Sequence, residues 1–136
     1  MPQHRRISPL DYAVFEGEVY SAATRVPADV QLYRDGTPWR LVPIADLDER
    51  YTVRTYGTFL GHEFEIYSEE GDTYFIGVVG RGDGHWLAET WAKPEEHPEV
   101  NFQRTDQFTF EATVPKDMVT NLREERTDHL DAGGSR

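Results

Sequence analysis

The residues of this chain that could do chemistry are few, and their spacing suits little of it. His62-Glu63 is the only adjacent His–carboxylate pair in the strand-like regions. Neighbours on a strand point to opposite faces, so these two cannot act jointly on one substrate. His85, Glu89 and His97 could be gathered around a metal, but separations of four and eight match no established ligand motif. Gly80-Arg81-Gly82-Asp83-Gly84 is glycine-rich enough to cradle a phosphate. It has no lysine and no P-loop spacing, and it reads as a hairpin loop between strands, not as the opening of a helix. No Gly-x-Ser-x-Gly is present, and no serine has a His and Asp set to go with it. Cysteine is absent, which removes thiol catalysis, Cys-ligated zinc, iron–sulfur clusters and disulfides. The expectation is a non-enzyme with no cofactor and no metal.

One segment does combine residue types that point to a role. Trp86, Glu89, Trp91, Glu95, Glu96, His97 and Glu99 put two large aromatic rings among dense negative charge. Tryptophan is a preferred interface anchor, and carboxylates around it can pair with Arg or Lys on a partner. These seven are the expected partner-binding residues. The alternative is that the tryptophans fold inward to plug the domain and the glutamates form a solvated rim.

The charge balance agrees with a basic protein partner. Net charge is −11, with ten acids against seven bases in residues 1–68 and fifteen against seven in residues 69–136. Such a surface repels nucleic acid and anionic membranes and speeds encounter with a basic protein. Among the bases only Arg5 and Arg6 are adjacent, and the aromatics are interleaved with acids, opposite to a stacking groove for single strands. No apolar run reaches the ~20 residues of a membrane span. The opening MPQHRRISPL lacks the apolar stretch of a secretory signal. A cytoplasmic location is the expectation.

The elements that must position the acidic segment are strands. Tyr12–Tyr20, Val30–Tyr33, Trp39–Val42, Tyr51–Tyr56, Phe59–Tyr67, Thr73–Val79 and Gln107–Val114 are rich in aromatic and β-branched residues. Gly17 suggests a bulge or tight turn, Asp35-Gly36 a turn, and Gly57 a break. Ile44–Arg50 fits a single helical or 3₁₀ turn with Leu47 inward. From Lys116 the stripe Met118, Val119 and Leu122 suggests a short C-terminal helix. Two motifs recur. Phe15-Glu16-Gly17-Glu18-Val19-Tyr20 is echoed by Phe59-Leu60-Gly61-His62-Glu63-Phe64, 44 positions on, and Val42-Pro43 by Val114-Pro115, 72 positions on. The stretch Val42–Tyr67 is then the seam of an internal duplication whose second copy is 28 residues longer.

Several strands, a Val-Pro, a one-turn apolar segment and a further strand resemble the SH3-like small barrel, in which a one-turn helix precedes the last strand. The resemblance implies an all-β chain of two SH3-like repeats packed together, with short helical pieces. The expected division is a flexible arm at 1–11, a first repeat at 12–56, a second at 57–126 with an insertion at about 85–103, and a disordered tail at 127–136. The acidic ALYDY-type opening and paired tryptophans of peptide-binding SH3 domains are absent, so their Pro-rich ligands are not implied.

In size, acidity and lack of cysteine the chain is similar to the immunity proteins, the antitoxins that neutralise secreted bacterial toxins. That similarity implies a toxin inhibitor covering the positive active-site cleft of a nuclease or NAD-consuming enzyme. Two other readings stay open. One is a small-ligand binder or enzyme using Tyr20, Tyr33, His62, Tyr74 and Glu111 around a pocket. The other is an oligomerisation or scaffold module.

Overall fold

The computed structural model describes residues 4–26, 29–79, 82–106 and 109–129. In chain order the elements are β1 (His4–Arg6), β2 (Leu10–Phe15), β3 (Glu18–Val26), β4 (Asp29–Arg34), β5 (Thr37–Pro43), a 3₁₀ turn (Ile44–Asp46), β6 (Glu49–Phe59), β7 (His62–Glu70) and β8 (Thr73–Val78). There follow α1 (Gly84–Trp91), a 3₁₀ turn (Pro94–Glu96), β9 (Asn101–Asp106), β10 (Thr109–Pro115), a 3₁₀ turn (Lys116–Met118) and β11 (Val119–Asp128). The fold is all-β with short helical pieces. Among the described residues no helix is long and apolar enough to cross a membrane.

The chain divides into two compact units, and the division falls inside β6, between Val53 and Arg54. In the unit built on Pro9–Val53 the strand order is β5-β4-β3-β2-β6, all neighbours antiparallel. Alternation sends Ala13, Phe15, Tyr20, Val30, Leu32 and Val42 inward, and Leu47 joins them from beyond the 3₁₀ turn. In the unit built on Arg54–Glu124 the order is β6-β7-β8-β10-β9, with β1 paired to β7 and β11 to β6. Its larger core centres on Phe59, Phe64, Ile66, Ile76, Leu87, Phe110 and Val114.

Each unit repeats the same local devices. The β2–β3 hairpin turns at Glu16-Gly17 (φ 52° and 83°) and the β6–β7 hairpin at Leu60-Gly61 (φ 52° and 81°). Two successive positive φ angles make type I′ turns, whose twist matches the flanking strands and whose second residue favours glycine. Pro43 (φ −60°, ψ 140°) and Pro115 (φ −58°, ψ 140°) each lead into a 3₁₀ turn, with buried Val42 or Val114 before it and buried Leu47 or Val119 after it. The strand after each turn then returns to the strand that opens its unit, β6 to β2 and β11 to β6. An indole covers the aromatic that closes each Phe-x-Gly-x-x-aromatic motif: Trp39 stacks on Tyr20 at 5.0 Å, and Trp91 on Phe64 at 6.0 Å.

Several expectations need correction. Tyr12–Tyr20 and Phe59–Tyr67 are not single strands. Each is two strands around a turn, because Glu-Gly and Leu-Gly occupy the two left-handed positions. Gly57 does not break its strand; it lies mid-β6, where a Cβ would meet Val119 Cγ1 at 2.6 Å. The arm is anchored at His4–Arg6, which pair with Glu70–Ser68, and Arg5 binds Glu69. The C-terminal helix is one 3₁₀ turn followed by a strand. Asn121 at φ 54° cannot continue a helix, and β11 is secured by Arg123 on Glu63 and by Arg126 on Glu49 (2.5 Å). Thr127 and Asp128 belong to that strand, not to a disordered tail. The rest of the tail from residue 130, and Gln107 and Phe108 of the last predicted strand, lie outside the described residues.

Candidate functional site

The segment expected as an insertion builds its own helix. Asp83 caps α1, its Oδ1 accepting the backbone N–H of Trp86 at 3.1 Å. Leu87 and Trp91, four apart, share the inward face and are 1% and 8% exposed. The Trp91 ring stacks on Phe64 and meets Phe102 and Phe110 edge-on at 4.8 and 5.6 Å. Its indole N–H donates to the carbonyls of Gln103 (3.1 Å) and Glu111 (2.9 Å), so the polar tip is satisfied inside the core. The glycine loop expected between two strands thus leads into a helix, and the carboxylate at its entry disfavours an anion there.

The seven expected contact residues separate into two groups. Trp91 takes the inward alternative and is a core residue, which removes it from any contact surface. Glu89, Glu95, Glu96 and Glu99 are exposed, and His97 is half-buried with its ring 6.2 Å from Phe102. Glu89 Oε1 lies 3.1 Å from His85 Nε2, one helical turn away. No other residue joins them into a metal site: among the described residues no three His, Asp or Glu side chains converge. Trp86 is half-buried and stacks on His62 at 3.7 Å and 20°. Sequence reasoning gave His62 no link to the insertion. On a helix the offset of five between Trp86 and Trp91 turns their attachment points about 140° apart, yet the rings meet edge-on at 6.2 Å and Trp86 packs against the same core.

Beside the His62–Trp86 stack lies a cavity of about 180 Å³ lined by Phe64, Val78, Val79, Asp83 and Leu87. Another, of about 250 Å³, lies on the opposite face of the same unit, among His4, Ser68, Glu70, Phe75 and Thr113. The five residues expected around a ligand pocket do not gather. Tyr20 is buried in the Pro9–Val53 unit with its hydroxyl on Glu18 (2.7 Å), and Tyr33 lies half-buried in the same unit. In the other unit, Tyr74 packs against the core, His62 sits on Trp86, and Glu111 alternates with the inward Phe110 and Ala112.

The outer face of that unit carries a polar row. Glu65, Gly77 and Glu111 stand side by side across β7, β8 and β10. The Glu65 carboxylate is buried, accepting from Ser8 Oγ (2.5 Å) and pairing with Arg54 (3.3 Å). Tyr67 lies over Gly77, where a Cβ would fall 2.4 Å from its Cε2. Burial, then the charges of Glu65 and Glu111, push the Tyr67 phenol above its ordinary value. Hydrogen bonds from Lys116 and Arg5 hold Glu69 below the usual carboxylate range.

Residues 28–130 match the model of a family described as Uncharacterised conserved protein UCP033725. No curated protein and no solved structure matches the chain.

Proposed function

The chain belongs to this family, and we propose that it is a non-enzymatic acidic binding protein that docks its insertion on a basic protein. The single observation carrying this is how the insertion is mounted. Leu87 and Trp91 fix it into a core, while Glu89, Glu95, Glu96 and Glu99 stay exposed, the last three without a cation on them among the described residues. A negative surface held rigid in advance loses little side-chain and loop entropy on association. It also steers a positive partner toward itself.

The class of partner best suited to it is a toxin with a phosphate-binding cleft, a nuclease or NAD-consuming enzyme, which makes the chain an immunity protein working in the cytoplasm. The repeated order of strands, Val-Pro, 3₁₀ turn and returning strand supports reading each unit as an SH3-like small barrel that serves here as a mount. The test is to mix the protein with a basic toxin encoded beside it and follow complex formation by light scattering as salt rises. The expected complex forms at low salt, weakens steeply with ionic strength, and loses affinity when Glu95, Glu96 and Glu99 are changed to Gln. A complex indifferent to both salt and those substitutions overturns the proposal.

A further inference from the structure

Charge does not account for Trp86 and the cavity beside it. That cavity, about 180 Å³, is below the ~300–1,000 Å³ of small-molecule and cofactor sites, and its size suits one side chain. Phe64, Val78, Val79, Leu87 and the Trp86 indole form apolar walls. The His62 imidazole, stacked on Trp86, also lines it, as does Asp83, whose Oδ1 is taken by the Trp86 backbone N–H and whose other oxygen has no hydrogen bond among the described residues. Glu63 also lines it, with its carboxylate held by Arg123. Apolar walls suit a methylene stem. His62 already covers one face of the Trp86 indole, and the stacked pair offers aromatic surface to a planar cation. A carboxylate in the lining suits charge-assisted N–H donors. Arginine combines all three.

We propose that this cavity is a socket for one arginine side chain of the basic partner. The proposal rests on the docking reading above and gives its central contact a chemical identity. Asp83 and Trp86 lie on the same short segment as the exposed Glu89, so a basic partner drawn to that segment's charge meets the socket within one or two helical turns.

The probe is Nα-acetyl-arginine amide, titrated into the ¹⁵N-labelled full chain, with the citrulline analogue as a neutral isostere and Nα-acetyl-lysine amide as a non-planar cation. Arginine is expected to shift the Trp86 indole N–H and the His62 ring saturably, with Kd on the order of millimolar, and citrulline to do nothing. Asp83→Asn keeps the cap acceptor while removing the charge, and should weaken arginine about fivefold without moving the thermal midpoint. Val79→Phe fills the cavity and should abolish the shifts; Trp86→Ala, which opens it, should abolish them as well and serves if the first variant does not fold. Shifts that never saturate, an equal response to citrulline, or unchanged binding by Asp83→Asn overturns the socket, and an equal response to lysine overturns the assignment to arginine. Saturable arginine binding without any complex with a basic protein supports the socket and removes the docking reading. A salt-sensitive complex without arginine shifts removes the socket alone.

Discussion

Tyr67 shows how one residue's environment becomes a measurable property. Its ring lies across Gly77, and the carboxylates of Glu65 and Glu111 stand in register on either side of that glycine. Burial first and these two charges second disfavour the phenolate, so its pKa is raised. The consequence for stability follows from which state gives up its proton first. Unfolded tyrosine ionises near ~10 while the folded residue is still neutral, so the contribution is complete below that pH and is lost as pH rises through the folded value. In a spectrophotometric titration the Tyr67 step should therefore lie above the ordinary tyrosine value. Glu111→Gln should bring that step down, because a repelling charge is gone. If Tyr67→Phe leaves the late step in place, the assignment is wrong.

At the scale of elements, close approach decides where glycine stands. Gly57 sits mid-strand on β6, where a Cβ would lie 2.6 Å from Val119 Cγ1, 3.1 Å from Leu122 Cδ2 and 3.3 Å from Ile66 Cδ1. Val119 is the residue that the Lys116–Met118 turn delivers into the core, so Gly57 and that turn form one device. Gly57→Ala should cost about 1–3 kcal/mol through overpacking. The cost should shrink in a Val119→Ala background, where the obstructing methyl groups are absent. Denaturant unfolding of the four members of this cycle measures the coupling, and strictly additive costs would show that the steric account is mistaken. The 3₁₀ turn after Pro43 and the inward Leu47 were legible because proline geometry and apolar spacing act locally. Gly57 was misread as a break, because its reason is a side chain 62 positions away. At Gly17 the choice between a bulge and a tight turn stayed open, and the β6–β7 turn was missed, because Glu-Gly and Leu-Gly lack the Asn or Asp that usually marks a type I′ turn. Helix α1 was missed because eight residues containing Gly84, two tryptophans and Thr90 have weak helix propensity. Its cap, Asp83, and its Leu87–Trp91 pair were the signals present. The exposed glutamates could be read as acidic in advance, but the inward turn of Trp91 depended on a helix phase that composition does not contain.

The whole molecule carries two hydrophobic cores of unequal size. Among the described residues eleven buried residues form the core of the Arg54–Glu124 unit and seven that of the Pro9–Val53 unit. The larger includes Phe59, Phe64, Phe110 and Trp91, whereas the largest rings of the smaller are Phe15 and Tyr20 under a half-buried Trp39. Apolar area removed from water is the main favourable term in each, at about 25 cal/mol per Å², so the two should open at different free energies. Native-state hydrogen exchange should find the slowest amides in β7, β8 and β10, with those of β3 and β4 exchanging sooner. Leu32→Ala, which empties a fully buried position of the smaller core, should cost about 2–5 kcal/mol. It should speed exchange in β3 and β4 well before it affects β8. The insertion shares the larger core through Leu87 and Trp91, so the α1 amides should follow β8 and not the smaller unit. Exchange that quickens equally in β4, β8 and α1 after Leu32→Ala would mean that the cores open as one, and that the acidic surface has no independently stable mount.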